Sequence, residues 1–410
     1  MTKIDRISLS NVRCFEAEHS VALPRITVVI GENSSGKTTL LGCYSAFARL
    51  VANQNAMEYN PFNIAPFRMG AFENIARVGH KKFSLGGSAN GIEFLFQFCK
   101  NKRGLFEEQV KIKPIGLEEL TITREDSTRE LRMSTPSFEI LVSADNIIYG
   151  QISQWLAFAV RHGDFPYREE VGQVRENGSA PPDKSAKTEL NDYLKNLSNK
   201  LPWSPIILES ISPYLEPQQR QYGWNTALPI EPRESEELSE IGRKLSLFDQ
   251  IRIRSTGDSS FELEVGFNNH FFNVSDVGLG IHAILPALRA MRKEGPNKTI
   301  LLQQPEAHLH PMAQAQLAEL IAHSPHQFIV ESHSDFIINR LSICVRKEIL
   351  DFEDVGILWL EKTGTAATIH ELGFDENGNL LGAPAKYREF FNKETDDYLG
   401  IEPHVYADDN

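Results

Sequence analysis

The stretch ITVVIGENSSGKTTL, residues 26–40, decides how the rest of the chain is read. Ile26 to Ile30 form a continuous apolar run of the kind that fills a strand covered on both faces. GENSSGKT, Gly31 to Thr38, then fits G-x-x-x-x-G-K-[ST], and a helix is predicted from Thr38 to about Val51. Strand, glycine loop and helix in that order aim backbone N–H groups and a helix N-terminus at an anion. Asn33, Ser34, Ser35, Gly36 and Thr39 would line the cradle, and Lys37 would place positive charge at the β- and γ-phosphates. The Thr38 hydroxyl is a ligand for Mg²⁺. A chance Gly/Ser turn satisfies the pattern alone, but not with both flanking elements in place. The expected cofactors are ATP and Mg²⁺.

Working outward, KIDRISLSNVRCF (residues 3–15) alternates apolar and polar residues as a strand does. Residues 66–145 hold short alternating runs such as GIEFLFQFCK and LEELTITRE, broken by turns, which predict an antiparallel sheet. From Asp145 to Ser198 the pattern is helical, as in NIIYGQISQWLAFAVRHG, with a polar Pro/Gly-rich loop near 172–188. ESEELSEIGRKLSLF predicts another helix, and DQIRIRS and FELEVGF predict two strands. From Val274 onward the order is turn, helix, strand, helix, strand, helix, the rhythm of a parallel α/β sheet. We therefore expect one discontinuous α/β domain, residues 1–145 and 251–410, split by a mainly helical insertion over 146–250.

Three segments lie downstream of the loop in a fixed order: VSDVGLGIHAILPAL (274–288), TILLQQPEAHLHP (299–311) and HQFIVESHSDFI (326–337). With the P-loop they resemble the ABC-type ATPase heads of the SMC, RecF and OLD-like group, in the AAA_15/AAA_21 branch. NVRCF (11–15), MGAFENI (69–75), SISPYLEPQQRQY (210–222), DVGLG (276–280), PEAHLHP (305–311) and GAPAKYREFFNKE (382–394) are similar to family segments along nearly the whole chain. An arginine usual in the 210–222 segment is missing. Among named systems the chain looks most like the ATPase subunit of Septu-type anti-phage defence, with a RecF-type DNA-repair ATPase as the alternative. The resemblance implies an ABC-type P-loop head, a parallel-sheet core with an antiparallel β-subdomain, and head-to-tail pairing with a second copy. The signature turn of one copy, with Ser275, Asp276, Gly278 and Gly280, would then close over nucleotide held by the other. Ser275 and Asp276 equally suit a helix N-cap. His333, at a strand end between two serines, would sense the triphosphate.

The pattern breaks at the second nucleotide motif. Family heads end this strand in acidic residues, one for Mg²⁺ and one for the attacking water, whereas here Gln303 and Gln304 stand there. Glutamine can hydrogen-bond a metal-bound water at the Gln303 position, but it brings no charge and cannot act as a base. Glu306 is the nearest carboxylate along this segment, beyond Pro305. Two readings are open: a slow or conditional ATPase using Glu306 or a carboxylate from elsewhere, or an ATP-binding switch that barely hydrolyses. His308 and His310 invite a zinc reading, but they begin a turn with no third ligand in view.

About seventy residues lie beyond Arg340, too few for the Toprim nuclease of OLD-type relatives, so a separate nuclease or other effector subunit is expected. The 42 Lys plus Arg against 55 Asp plus Glu give a net charge of −13, which excludes a protein coated by nucleic acid over its whole surface. Any DNA contact is confined to a local basic patch, at His80–Lys82, Lys100–Arg103 or Arg124–Arg132. Four dispersed cysteines suit a reducing cytoplasm, and no apolar run predicts a membrane span.

Overall fold

The computed structural model describes residues 3–52, 60–102, 104–124, 130–137, 139–143, 192–197, 208–211, 222–223, 232–257, 260–292 and 297–384, with Ile152, Thr188, Leu190 and Tyr387 as single positions. The expected helix over NIIYGQISQWLAFAVRHG, the 172–188 loop and most of the GAPAKYREFFNKE tail lie outside these residues.

The central sheet runs in the order Leu208–Ile211, Thr299–Gln303, Gln327–Glu331, Ile26–Gly31, Val355–Thr363, Ala366–Phe374, Leu380–Leu381. The first five strands are parallel, the sixth runs antiparallel to the fifth, and the seventh antiparallel to the sixth. The apolar P-loop strand therefore sits inside the sheet, as its continuous burial requires. Residues 208–211, read from the sequence as part of a helical insertion, instead form the strand beside Thr299–Gln303. LESI is too short a run to distinguish strand from helix, and pairing with a neighbouring apolar strand decides it.

Period-two alternation divides the core into two layers. Val29, Leu301, Ile329 and Leu358 point to one layer, with the helix Lys37–Ala52 (Leu40, Tyr44, Phe47). Ile26, Val28, Ile300, Leu302 and Val330 point to the other, with the helices Leu279–Ala290, Pro311–His323 and Asp335–Arg346. The first layer is closed by an antiparallel sheet ordered Glu139–Ser143, Glu130–Ser134, Leu120–Arg124, Gly104–Lys113, Ile92–Asn101, Lys82–Ala89, Ile4–Ser10, His19–Ala22. Phe47 meets Phe94 and Phe96 edge to face at 6.4 and 6.1 Å, fixing the P-loop helix against that sheet.

A third sheet, with Gln250–Ser255, Ser260–Phe267 and His270–Asn273, leads into the signature turn. The helix Pro232–Lys244 carries Glu234 and Glu237, which pair with Arg289 (2.6 Å) and Arg292 (2.7 Å) at the far end of the signature helix. Helix 279–290 is thus anchored by charge at its C-terminal end, away from the signature turn. No helix among the described residues is long and apolar enough to cross a membrane.

Candidate functional site

The P-loop keeps its shape through close backbone approaches. Gly36 has φ +103°, and a Cβ there would lie 2.5 Å from Cys14 Sγ and 2.9 Å from the Phe15 ring, so only glycine fits. Arg13, two residues before Phe15, donates to Thr39 Oγ1 (3.3 Å), to the Met69 carbonyl (3.0 Å) and to the Asn74 carbonyl (2.8 Å). NVRCF and MGAFENI are therefore joined at the base of the P-loop helix. Lys37 Nζ donates to the carbonyls of Gly31 (3.0 Å) and Glu32 (2.7 Å), and its side chain is almost wholly shielded. Burial pulls the Lys37 pKa down, opposed by the charges of Glu331 and Glu306. Asn33, Ser34 and Thr38 are exposed, while Ser35 is buried with its Oγ unpartnered.

Glu331 is the residue the sequence reading missed. It ends its strand directly opposite Gln303. The Thr38 hydroxyl lies 2.9 and 3.0 Å from its two carboxylate oxygens. Burial raises the Glu331 pKa, while Thr38, Lys37 and the Gln303 side chain favour the ionised form. The sequence held a usable signal: TILLQ and QFIVE are equal apolar runs that each end in a polar residue, and parallel strands bring such ends together.

After Gln303 the chain turns sharply. Gln304 adopts φ +43° and its N–H donates to the Glu331 carbonyl at 2.7 Å. Pro305 and Glu306 come next, and Glu306 folds back so that Oε1 accepts the His333 N–H at 2.7 Å. Its Oε2 is shielded from solvent, and the nearby Ser332 hydroxyl favours the ionised form. Burial raises the Glu306 pKa, against the opposing pull of the His333 N–H. His333 itself is exposed, and burial of part of its ring together with Lys37 holds its pKa below the usual histidine value. Lys37, Thr38, Gln303, Glu306, Glu331 and His333 thus converge at one edge of the parallel sheet.

The signature turn is arranged differently from the capping expectation. Val274–Asp276 is a short 3₁₀ turn whose cap is Asn273, which accepts from the Ser275 N–H (2.9 Å) and hydroxyl (2.8 Å). The helix Leu279–Ala290 begins at Gly278 with no side-chain cap, so Ser275 and Asp276 do not cap it. The two glycines differ. A Cβ at Gly278 would meet nothing within 4 Å, whereas one at Gly280 would lie 2.5 Å from the His308 carbonyl oxygen. Gly280 packs the signature helix onto the PEAHLHP turn; Gly278 faces open space. Within that turn His310 is the N-cap of Pro311–His323, its Nδ1 accepting the Met312 N–H at 3.3 Å. Among the described residues no group of three His, Cys, Asp or Glu is placed to hold a metal.

The basic clusters are partly engaged: Lys82 pairs with Glu108 (2.6 Å), Lys100 with Glu73 and Arg132 with Glu139. Exposed pairs of this kind are weak and do not remove the side chains from competition for phosphate.

Compared with known proteins, residues 161–339 match the family model described as "AAA domain, putative AbiEii toxin, Type IV TA system". That span contains the signature turn and the Gln303 and Glu331 strands. No curated protein matches the chain. Among solved structures, an SMC head bound to the C-winged helix domain of ScpA shares 15% identity, covering 91% of this chain and 98% of its own, with a TM-score of 0.43. The SMC head domain with an extended coiled coil, bound to the C-terminal domain of ScpA derived from Pyrococcus furiosus, shares 12% over 98% of this chain and 100% of its own, TM-score 0.40. The SMC head domain from Thermotoga maritima shares 11% over 90% of this chain and 98% of its own, TM-score 0.33.

Proposed function

We propose that the chain binds ATP with Mg²⁺ at Gly31–Thr39 and that a second copy, docked head to tail, closes the site. One observation carries the first half: the Lys37 ammonium and Thr38 hydroxyl stand at a helix N-terminus behind a glycine loop, at the sheet edge where Glu306 and Glu331 converge. The residues fit the ligand. Gly36 leaves the backbone free to wrap an anion, and Lys37, bonded to its own loop carbonyls, has donors to turn toward phosphate. Mg²⁺, when bound, neutralises charge on the β- and γ-phosphates.

Hydrolysis is slow or conditional in this reading. Gln304 can orient a water but cannot take its proton. Glu306 can, because burial makes it a stronger base than an exposed carboxylate. A non-hydrolysing ATP-gated switch is the second reading, favoured by the two neutral glutamines.

Three exposed apolar residues support pairing. Leu279, Met312 and Phe336 lie in the first turns of their helices and are 45%, 59% and 49% exposed. Met312 and Phe336 start the helices that come after the Gln303 and Glu331 strands, and Leu279 opens the helix that Gly280 packs onto the PEAHLHP turn. In the proposed pair these three residues and the open Gly278 would face the second copy. Regulation of a separate effector is the output we assign to the closed pair. The anti-phage setting, and any DNA contact through the 80–82 and 100–103 clusters, rest on the resemblance and on charge alone.

Equilibrium ATP binding, phosphate release and sedimentation with ATP test this account. Wild type binds and forms a dimer; Lys37→Ala binds ATP at least about 100-fold more weakly, and Gly278→Arg binds ATP but stays monomeric. Wild-type ATP binding no stronger than that of Lys37→Ala would sink the proposal, and phosphate release no faster than the Lys37→Ala background selects the switch.

A further inference from the structure

The strand that should carry charge for a divalent cation ends in neutral Gln303, and its neighbour ends in Glu331. These two strands run parallel and in register from Thr299 opposite Gln327 to Gln303 opposite Glu331. Glu331 is 3% exposed, an environment in which an ionised carboxylate needs compensation. Every compensating group belongs to the nucleotide site: the Thr38 hydroxyl at 2.9 and 3.0 Å, the Gln303 side chain and the Lys37 charge. Thr38 is itself exposed, so the Thr38–Glu331 pair opens toward the loop that would hold the phosphates.

We propose that Glu331 supplies the carboxylate for Mg²⁺ beside Thr38, the charge having moved one strand over from the Gln303 position. Gln303 then acts as a positioning residue, a neutral hydrogen-bond partner that orients Glu331. The inference rests on the ATP-binding reading above. It fits the chemistry of the ion: Mg²⁺ is a hard cation that takes oxygen ligands, usually one or two carboxylates with substrate phosphates and several waters. Such a site needs no cage of three acidic or imidazole ligands, which the described residues do not offer. Glu306 is committed elsewhere, since one of its oxygens accepts the His333 N–H beyond Pro305. The two buried carboxylates thus divide their tasks: Glu331 for the cation, Glu306 for water.

Charge also sets the sign of the effect. A carboxylate at this place repels phosphate when no cation lies between them and binds the cation when one does. ATP affinity is therefore read with Mg²⁺ and with EDTA, and Mn²⁺ binding is tracked by EPR in the presence of ATP. Wild type is expected to bind ATP at least about tenfold more tightly with Mg²⁺, a difference of about 1.4 kcal/mol. In Glu331→Gln that ratio falls toward one, the EDTA affinity rises, and the bound-Mn²⁺ signal is lost. The retained binding in EDTA shows that the variant is folded. Gln303→Glu added to Glu331→Gln restores the ratio, because the carboxylate returns to the adjacent strand end. Retention of the wild-type ratio in Glu331→Gln overturns the inference and leaves ATP binding standing, as does a wild type indifferent to Mg²⁺. Wild type that binds no ATP under either condition overturns the function itself.

Discussion

The strand Thr299–Gln303 and the strand Gln327–Glu331 are alike in almost everything but their last residue. Each is five residues long, buried throughout, and paired in register with the other. Beyond them the chain behaves differently. After Gln303 it enters a left-handed residue and a proline, and the next carboxylate, Glu306, is carried round toward His333. After Glu331 it passes through Ser332 and His333 to Ser334, which caps the helix Asp335–Arg346 through the Ile337 N–H. Glu331 therefore lies against the Thr38 hydroxyl, whereas Glu306 lies against the His333 N–H. At the end of a parallel sheet, a ligand is served by whichever strand reaches the edge with the right side chain, and reading one strand alone misses the others.

The largest expected effect removes the ligand from the comparison altogether. Lys37→Ala should weaken ATP binding at least about 100-fold, since a charge-assisted bond is worth about 1.5–3 kcal/mol and Lys37 can make more than one. Equilibrium binding checks this; a loss under tenfold would mean the two strand ends face something other than a triphosphate. Next comes an asymmetry between the strands. Gln303→Ala should lower Mg²⁺-dependent ATP affinity only about fivefold, about 1 kcal/mol, by loosening one hydrogen bond that orients Glu331. An effect as large as that of Glu331→Gln would restore the metal role to Gln303.

A third prediction concerns the turn between the strands and the signature helix. Gly280→Ala should cost about 1–3 kcal/mol in denaturant unfolding, because the new methyl meets the His308 carbonyl oxygen. Gly278→Ala should change stability by less than about 0.5 kcal/mol. Equal losses would show that Gly278 is also packed.

The last expected effect is a pH dependence. Burial raises the Glu306 pKa above its unfolded value, so the folded state takes up a proton more readily than the unfolded one. Its contribution is fully present below the unfolded carboxylate value of about 4.3 and is lost as pH rises through the higher folded value. Glu306→Gln escapes this loss. It should be more stable than wild type at pH 7.5 by about 1 kcal/mol, the scale of one unsatisfied buried group, with the gap closing toward pH 4.5. Thermal unfolding at the two pH values decides, and a gap that does not narrow contradicts the assignment of Glu306 as a buried, ionisable group.

Much of this was legible in the sequence. The GENSSGKT loop, its strand and its helix emerged where the apolar run and glycine spacing put them, with the helix at Lys37–Ala52. The antiparallel character of residues 66–145 and the α/β rhythm after Val274 came from alternation of period two and from apolar runs. Two things were not legible. Residues 208–211 became a strand only through pairing with Thr299–Gln303 across nearly ninety residues, which no local pattern reports. Glu331 was passed over because its meaning lies in register: only the alignment of two strands places it beside Thr38. The His333 signal two residues later drew attention to that segment, while Glu306 stood as the nearest carboxylate along the chain.

Anomalous scattering from Mn²⁺ in crystals grown with a non-hydrolysable ATP analogue tests the central claim most directly. The account predicts a peak at the Thr38 hydroxyl and the Glu331 carboxylate, next to the nucleotide phosphates. A peak coordinated by Glu306 with Glu331 turned away, or bound nucleotide with no peak near Glu331, would contradict it.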